Sequence, residues 1–510
     1  MNAGIRWFGW FVTAYLFVHA MTVNVRPLLR IPGGGSFYTV PKMINLGIWM
    51  GLVALALLVT LRTVDVAGSL RRLRREPVMI LWIVAVLLLA VAPFMATRTP
   101  LNLAVLGFPF RYDGPYVILF SLILAAAMAR FVMLDRSFIR VGVGTFLAMT
   151  GVVAVIGIIQ SQGYDFWAWL GVNGLGTTPR TTLGNPAFAS LIPAMGAIIV
   201  ANIAGGEEVR SNPRKAALWI AFGVFLAFAA GSASSRSAVV GYWVVLAIWT
   251  TVNLLRGVRV GDWKRALYPA LIAGLFVGAQ AIGGSSNQYA SGKFEALTDM
   301  VTGERVDNSW ETRVRFWTIA MRALQEQPLV PYGSGAYSVV MWEFANPEET
   351  RELYKMFVPE EAIPTVQRQQ NVLIYQDPNS GEQVGQRVNS DKVHNYLLDA
   401  WLAYGIFPTL ALVAIIVAIV VRMVQAGGPV PWAVISAGTV YAFFSMAWFP
   451  AVATDPLVFS LLGIGWGAAE RELRGIPDEP EDDGNVTTSN LLGRTKKLSR
   501  AEARRRKRKG

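Results

Sequence analysis

The sequence predicts an all-α polytopic membrane protein of about twelve spans, with one large outward-facing loop domain between spans nine and ten. Three observations predict it. Of 510 residues, 54% are hydrophobic and only 15% charged, with a mean hydropathy of +0.42, a balance outside the range of soluble domains. Apolar runs long enough to cross about 30 Å of hydrocarbon recur along the chain. Lys and Arg gather in alternate short loops, as retention of basic residues in the cytoplasm requires.

The apolar runs fall near residues 6–24, 43–61, 77–96, 114–133, 141–160, 185–204, 216–232, 237–255, 266–283, 394–421, 430–449 and 456–470. The first, behind Arg6, is too long for a signal-peptide core and lacks an Ala-x-Ala site, so it is read as a span. Twelve spans put both termini on one side. Basic residues follow span two (Arg62, Arg71, Arg72, Arg74, Arg75), span four (Arg130, Arg136, Arg140), span six (Arg210, Arg214, Lys215) and span eight (Arg256, Arg259, Lys264, Arg265). Both termini are therefore expected in the cytoplasm. The expected divisions are a nine-span membrane domain over 1–283, an extracytoplasmic loop domain over 284–393, three spans over 394–470, and a cytoplasmic tail over 471–510.

The tail runs from acidic (DEPEDD) to basic (RRRKRK, Arg504–Lys509) without apolar periodicity and reads as disordered. Its basic end suits anionic membrane lipid or a topology anchor alone. Asn485-Val486-Thr487, on the cytoplasmic side, is discounted as a glycosylation site. Net charge is +13, but its placement between spans and in the tail is explained by topology, so no nucleic-acid partner is expected. The absence of cysteine excludes disulfides, thiolate catalysis and cysteine-ligated metal.

Within the loop domain, DNSWETRVRFWTIAMRALQEQ carries capping-box spacing at Asn308 and Glu311. Trp310, Val314, Trp317, Met321 and Leu324 form an apolar stripe at helical steps, which predicts a helix lying on the membrane domain. NVLIYQDPNSGEQVGQRV predicts a hairpin turning at Asp377–Gly381.

Candidates for chemistry are few. The two histidines are His19, inside the first apolar run, and His394, in SDKVHNYLLDAWLAYG where the loop domain joins span ten. Imidazole is the side chain whose ordinary pKa suits acid-base work near neutrality. Ser390 or Asp391 as N-cap would put His394 in the first helical turn, where the helix dipole favours the neutral base; an interfacial polar residue is the other reading. Asp399, one turn on, either lines the same cleft or snorkels.

Outward arginines break the charge bias. Arg180 sits beside Gly184, Asn185 and Pro186, and Arg236 among Gly231, Ser232, Ser234, Ser235 and Ser237. Arg313 and Arg315 point to different helix faces, so one of them is structural. A guanidinium fork pairs with two oxygens of a diphosphate; snorkelling to lipid phosphate is the other reading, weakened for Arg180 and Arg236 by the turn and small residues beside them, which let a ligand approach the backbone. The outward acids Asp113, Asp165 and Asp455 are isolated in sequence and the first outward loop has none, so no metal site is expected. Gly33–Gly35 make a flexible loop without a phosphate-binding motif.

The order RTTLGNP, SSRSA, ETRVRFW with QPLVPYGSG, and finally VHNYLLDAWLAYGIF resembles the O-antigen ligase and O-antigen polymerase superfamily, which includes bacterial O-linked oligosaccharyltransferases, over about Pro179–Ile406. The resemblance implies a GT-C-like glycosyltransferase of the bacterial cytoplasmic membrane. It would move a glycan from an undecaprenyl-diphosphate-linked donor to a glycan, lipid or protein hydroxyl acceptor on the outer face, without metal or cofactor. By the same resemblance His394 is the catalytic base, Arg180, Arg236 and Arg313 bind diphosphate, and Asn185, Trp317 and Asn395 support them; Pro328, Gly333 and Gly335 match the turn after the arginine-tryptophan helix. Ala403 and Tyr404 stand where many members have an acid, and Val330-Pro331 lengthens the turn. Alternatives are a transporter or flippase of lipid-linked saccharide, disfavoured by the large outward domain, and a cell-wall glycan polymerase, expected to use an outward aspartate.

Overall fold

The computed structural model describes residues 3–23, 38–61, 76–107, 112–168, 178–286, 290–291, 308–369, 372–387 and 392–476. The expectations for Gly33–Gly35, for Ser390 and Asp391, for the loop after span two and for the tail beyond Ile476 fall outside these residues, as does the Asn308 side chain of the expected capping box.

In chain order the first part comprises α1 (Ala3–Met21), α2 (Thr39–Leu61), α3 (Pro77–Val91, continued by a 3-10 turn Ala92–Met95), the short α4 (Leu101–Leu106), α5 (Pro115–Leu134), α6 (Ser137–Ser161), α7 (Pro186–Gly205), α8 (Pro213–Ala233), α9 (Arg236–Arg259) and α10 (Trp263–Ser285). Proline at the first turn, where its missing N–H costs nothing, starts α3, α5, α7 and α8. Among the described residues eight helices are long and apolar enough to cross a membrane, accompanied by shorter apolar helices at Gly9–Met21 and Thr39–Leu55. The chain is a polytopic, mostly helical membrane protein.

α7 is the pillar. It is apolar and buried on nearly every face, which is the pattern of a helix enclosed by others. α6, α8 and α9 pack around it, and so does α16 (Pro429–Ser445). Across the molecule α5 packs on α17 (Asp455–Arg474). Gly463 and Gly467, four residues apart on α17, lie against the backbone carbonyls of Ala125 and Ala129, so any side chain there would force the helices apart.

The loop domain has a core of its own. α11 (Asn308–Glu326) sends Phe316, Ile319, Ala320, Ala323 and Leu324 inward to meet Tyr337, Val340 and Met341 of α12 (Tyr337–Phe344) and Leu353 of α13 (Pro347–Lys355). This corrects the stripe read from sequence. Trp310, Val314 and Met321 are exposed, and of that stripe only Leu324 is fully buried. α11 is apolar on two faces, and the one carrying positions 316, 319, 320 and 323 is the one that meets the core. The predicted hairpin is present as β2 (Val372–Gln376) and β3 (Gln383–Arg387), closed by the Gly381 N–H donating to the Asp377 carbonyl at 2.8 Å. A third antiparallel strand, β1 (Gln367–Gln369), was not anticipated; it pairs with β2 to give the order β1-β2-β3.

The run read as span ten is two helices. α14 (Tyr396–Tyr404) ends at Gly405, whose φ of +88° breaks the helical path, and α15 (Ile406–Ala426) starts afresh. The break is built in: the Leu402 carbonyl accepts from the N–H groups of Tyr332 and Gly333, and the Leu329 carbonyl and Pro331 ring lie against Gly405 where a Cβ would sit. Apolarity is continuous through both helices, and only backbone conformation divides them.

One bridge closes the loop domain. Arg322 donates to both carboxylate oxygens of Glu349, at 2.6 and 2.9 Å, while Glu349 also caps α13 by accepting from the Asn346 N–H. The Arg322 hydrogen bonds hold the Glu349 carboxyl below its ordinary range. A depressed native pKa contributes stability that is complete above the ordinary carboxylate range and is lost as pH falls through the native value. Hydrogen exchange over α11–α13 should therefore accelerate on acidification below about pH 4.5. Glu349→Gln should remove that pH dependence, and a double-mutant cycle with Arg322→Met should give a coupling of about 1 kcal/mol after solvent screening.

Candidate functional site at the loop and membrane junction

His394 occupies a left-handed backbone conformation, φ +57°, that a non-glycine residue adopts at a cost of roughly 1–2 kcal/mol. Its neighbours impose that conformation. Two residues earlier, the ammonium of Lys392 pairs with the Asp113 carboxylate, and both side chains are buried. The Val393 N–H donates to Asp399 Oδ1 at 3.0 Å. On the other side, Asn395 Oδ1 accepts from the N–H groups of Leu397 and Leu398 at 3.1 and 3.2 Å.

Asn395 is thus the N-cap of α14, and His394 lies just outside the helix, a correction to its expected place in the first turn. An Asn side chain in reach of two orphan N–H groups outcompetes a cap four or five residues upstream. Asp399 is buried and so does not snorkel; its Oδ1 fastens the segment leading to His394.

The half-buried imidazole sits among rings. Phe316 stacks on it at 6.4 Å, and Trp448 and Phe449 meet it edge to face at 5.5 and 5.4 Å. Trp317 Nε1 donates to the His394 carbonyl at 3.4 Å, and Asn395 Nδ2 to the Met446 carbonyl at 3.4 Å. Trp448 and Phe449 follow α16 in the sequence SMAWFP, an aromatic pair before proline that sequence reasoning passed over. The other histidine holds this wall from behind: His19 Nε2 donates to the Val452 carbonyl at 2.9 Å, deep among the helices.

The segment carrying Arg180 is the second part. Thr181 and Gly184 take positive φ, +52° and +81°, and the Gly184 N–H donates back to the Arg180 carbonyl at 2.9 Å, so the chain turns tightly before α7. A Cβ on Gly184 would strike the Tyr38 ring. Asn185 caps α7 by accepting from the Ala187 N–H at 2.8 Å. Lys42, fully buried, donates to the carbonyls of Thr182, Thr22 and Tyr38 at 2.6, 2.8 and 3.3 Å, and Gln160 Oε1 accepts from the Thr181 N–H at 2.7 Å. Arg180 itself stands exposed on this scaffold. Lys42 was missed; a lysine at the start of an apolar run was the available signal. Phe188, in the first turn of α7, stands 5.8 Å from Trp448, which joins the Arg180 turn to the His394 enclosure through two rings.

Arg236 is the first residue of α9, half-buried, after Ser234 in a left-handed conformation, φ +45°. Gly231 lies against the Gln280 carbonyl of α10, which brings the serine-rich turn down onto that helix. Arg313, half-buried, shares the α11 face of Trp310 and Trp317, whose rings meet at 5.3 Å. Arg315 turns to Glu352 at 4.0 Å. The structure thus joins Trp317 to His394 through its indole N–H, with Asn395 the next residue along; Arg313 lies on α11, which packs on α14, while Arg180 precedes α7 and Arg236 begins α9, both of which pack on α16.

The acids Asp113, Asp165 and Asp455, isolated in sequence, are not isolated in space. Asp113 pairs with Lys392, and Asp455 accepts from the hydroxyls of Tyr441 and Tyr396 at 2.6 and 3.3 Å. Asp165 caps its own turn through the N–H groups of Trp167 and Ala168. Each is committed to donors within the chain.

This is a polytopic helical protein whose loop domain sets a lone imidazole at the helix ends. Residues 220–413 match the family described as O-antigen ligase, so the chain carries an O-antigen ligase family domain. The domain takes in Arg236, Arg313, Trp317, His394 and Asn395, while Arg180 and Asn185 lie before it. It implies a membrane glycosyltransferase that acts on lipid-linked glycan. No curated protein matches the chain.

Breaking the buried pair should be severe. Asp113→Asn leaves the Lys392 ammonium uncompensated and should cost about 3–5 kcal/mol, read as a lowered melting temperature in detergent. Asp113→Leu combined with Lys392→Met should recover most of that loss.

Proposed function

We propose that the protein transfers a glycan from an undecaprenyl-diphosphate-linked donor to a hydroxyl acceptor, with His394 as general base. The observation that carries this reading is the held imidazole of His394, wound into a left-handed turn and walled by Phe316, Trp448 and Phe449 inside an O-antigen ligase family domain. The imidazole takes the acceptor O–H proton as that oxygen attacks the anomeric carbon. The bond from that carbon to the diphosphate oxygen breaks, the configuration inverts, and undecaprenyl diphosphate leaves. Arg180, Arg236 and Arg313 stabilise the charge gathering on the departing diphosphate.

No metal ion or cofactor has a part in this scheme. Asp113, Asp165, Asp399 and Asp455 each accept from a donor in the chain, which supports a route without cation ligands. The site lies on the outer face, with twelve spans and both termini in the cytoplasm. In support, α7 and α9 carry Arg180 and Arg236 at one end and Arg210, Arg256 and Arg259 at the other, the basic-rich end that belongs inside. Residues 284–393 form the extracytoplasmic domain in this scheme.

Purified protein with lipid-linked donor tests it. His394→Ala should lose about 10²–10⁴ in kcat, Arg180→Lys and Arg236→Lys should raise the donor KM because a point charge cannot replace the fork, and chelation should leave the rate unchanged. Wild-type turnover by His394→Ala would remove the base. Product formation in detergent, with no membrane to cross, separates transfer from flipping.

A further inference from the structure

We propose a second binding site, for a phosphate group, at the opposite end of α7 from Arg180. The 20 residues of α7 put the two ends about 30 Å apart, so this site is separate from the His394 region and does not rest on its chemistry.

Arg210, Asn253, Arg256 and Tyr268, with Gly205 and Pro269, line a cavity of about 70 Å³ where α7, α9 and α10 meet. One water needs only about 10–15 Å³ by this measure, so the space suits a group of several heavy atoms. Two close approaches frame it: Gly205 against the Trp249 ring and Gly257 against the backbone of Ala266.

Its polar lining donates. The Tyr268 hydroxyl is buried with no hydrogen-bond partner among the described residues, and a buried polar atom in that state costs about 1–3 kcal/mol until something meets it. Neither the Arg210 nor the Arg256 guanidinium forms an ion pair among the described residues, although Glu207, Glu208 and Asp262 are close in sequence; none of those acids lines the cavity. Asn253 spends one amide hydrogen on the Trp249 carbonyl and retains the other. Two guanidiniums, a hydroxyl and an amide around a small space between membrane helices call for a tetrahedral oxyanion, either the phosphate of an anionic phospholipid or free phosphate.

The full chain in maltoside is titrated with phosphatidylglycerol, with diacylglycerol of the same acyl chains, and with inorganic phosphate, followed by native mass spectrometry and thermal melting. Wild type should retain phosphatidylglycerol and not diacylglycerol. Arg210→Gln with Arg256→Gln should weaken that retention at least tenfold, on the order expected for two lost charge-assisted contacts. Tyr268→Phe, which keeps the packing, should weaken it less. Stabilisation by inorganic phosphate alone, lost in the same variants, would assign the pocket to the free ion. Absence of binding, or equal binding of every probe by wild type and variants, overturns the proposal.

Discussion

Asp113 holds both ends of the segment on which the candidate site is built. Its carboxylate takes the ammonium of Lys392, just before His394, and its carbonyl accepts the Tyr404 hydroxyl at 2.8 Å, just before the break at Gly405. Everything between, the left-handed turn, the Asn395 cap and all of α14, is strung between two bonds to one residue. The ion pair is costly to bury, and a pair of apolar residues would fill its volume at less cost. What the charges add is direction: an ammonium has one place to go, and the chain must enter the helix from there.

α14 then divides its faces between two cores. Tyr396, Ala400, Ala403 and Tyr404 pack into the membrane helices, while Leu398, Trp401 and Leu402 pack into the loop domain. Two and a half turns suffice because positions three and four apart share a face. Trp401 Nε1 donates to the Pro328 carbonyl at 2.8 Å, and the turn that follows is pinned from the far side by Thr97 and Arg98, whose N–H groups donate to the Pro331 and Tyr332 carbonyls. Val330-Pro331 therefore lies within a docked edge, and Tyr404 serves as a strut to Asp113.

Much of this was legible from sequence, and the reason is physical. Lipid demands a minimum apolar length, so most helices could be located within a few residues, and a Pro-Asn-Ser-Gly turn between short strands announces itself locally. His394 stood out because so few side chains could compete with it. What escaped was long-range or conformational. The Lys392 partner lies far away in sequence; Lys42 serves carbonyls, which carry no sequence signal; Gly405 breaks a helix inside an unbroken apolar run. α11 misled because both its faces are apolar, and periodicity alone does not say which one finds a partner.

The rings around His394 have a further consequence if that residue takes a proton from the acceptor. A glycosyl donor on a membrane surface faces water at far higher concentration than any saccharide hydroxyl, and water is small enough to use any open base. Phe316 and Phe449 offer no hydrogen bond that would hold a water molecule beside the imidazole, and Trp448 has only its indole N–H to donate. An acceptor that brings its own binding energy can displace the disorder at such a place and present its hydroxyl, whereas a lone water gains little by staying. The aromatic fence then acts as protection against hydrolysis, conserving a lipid-linked donor that is expensive to make.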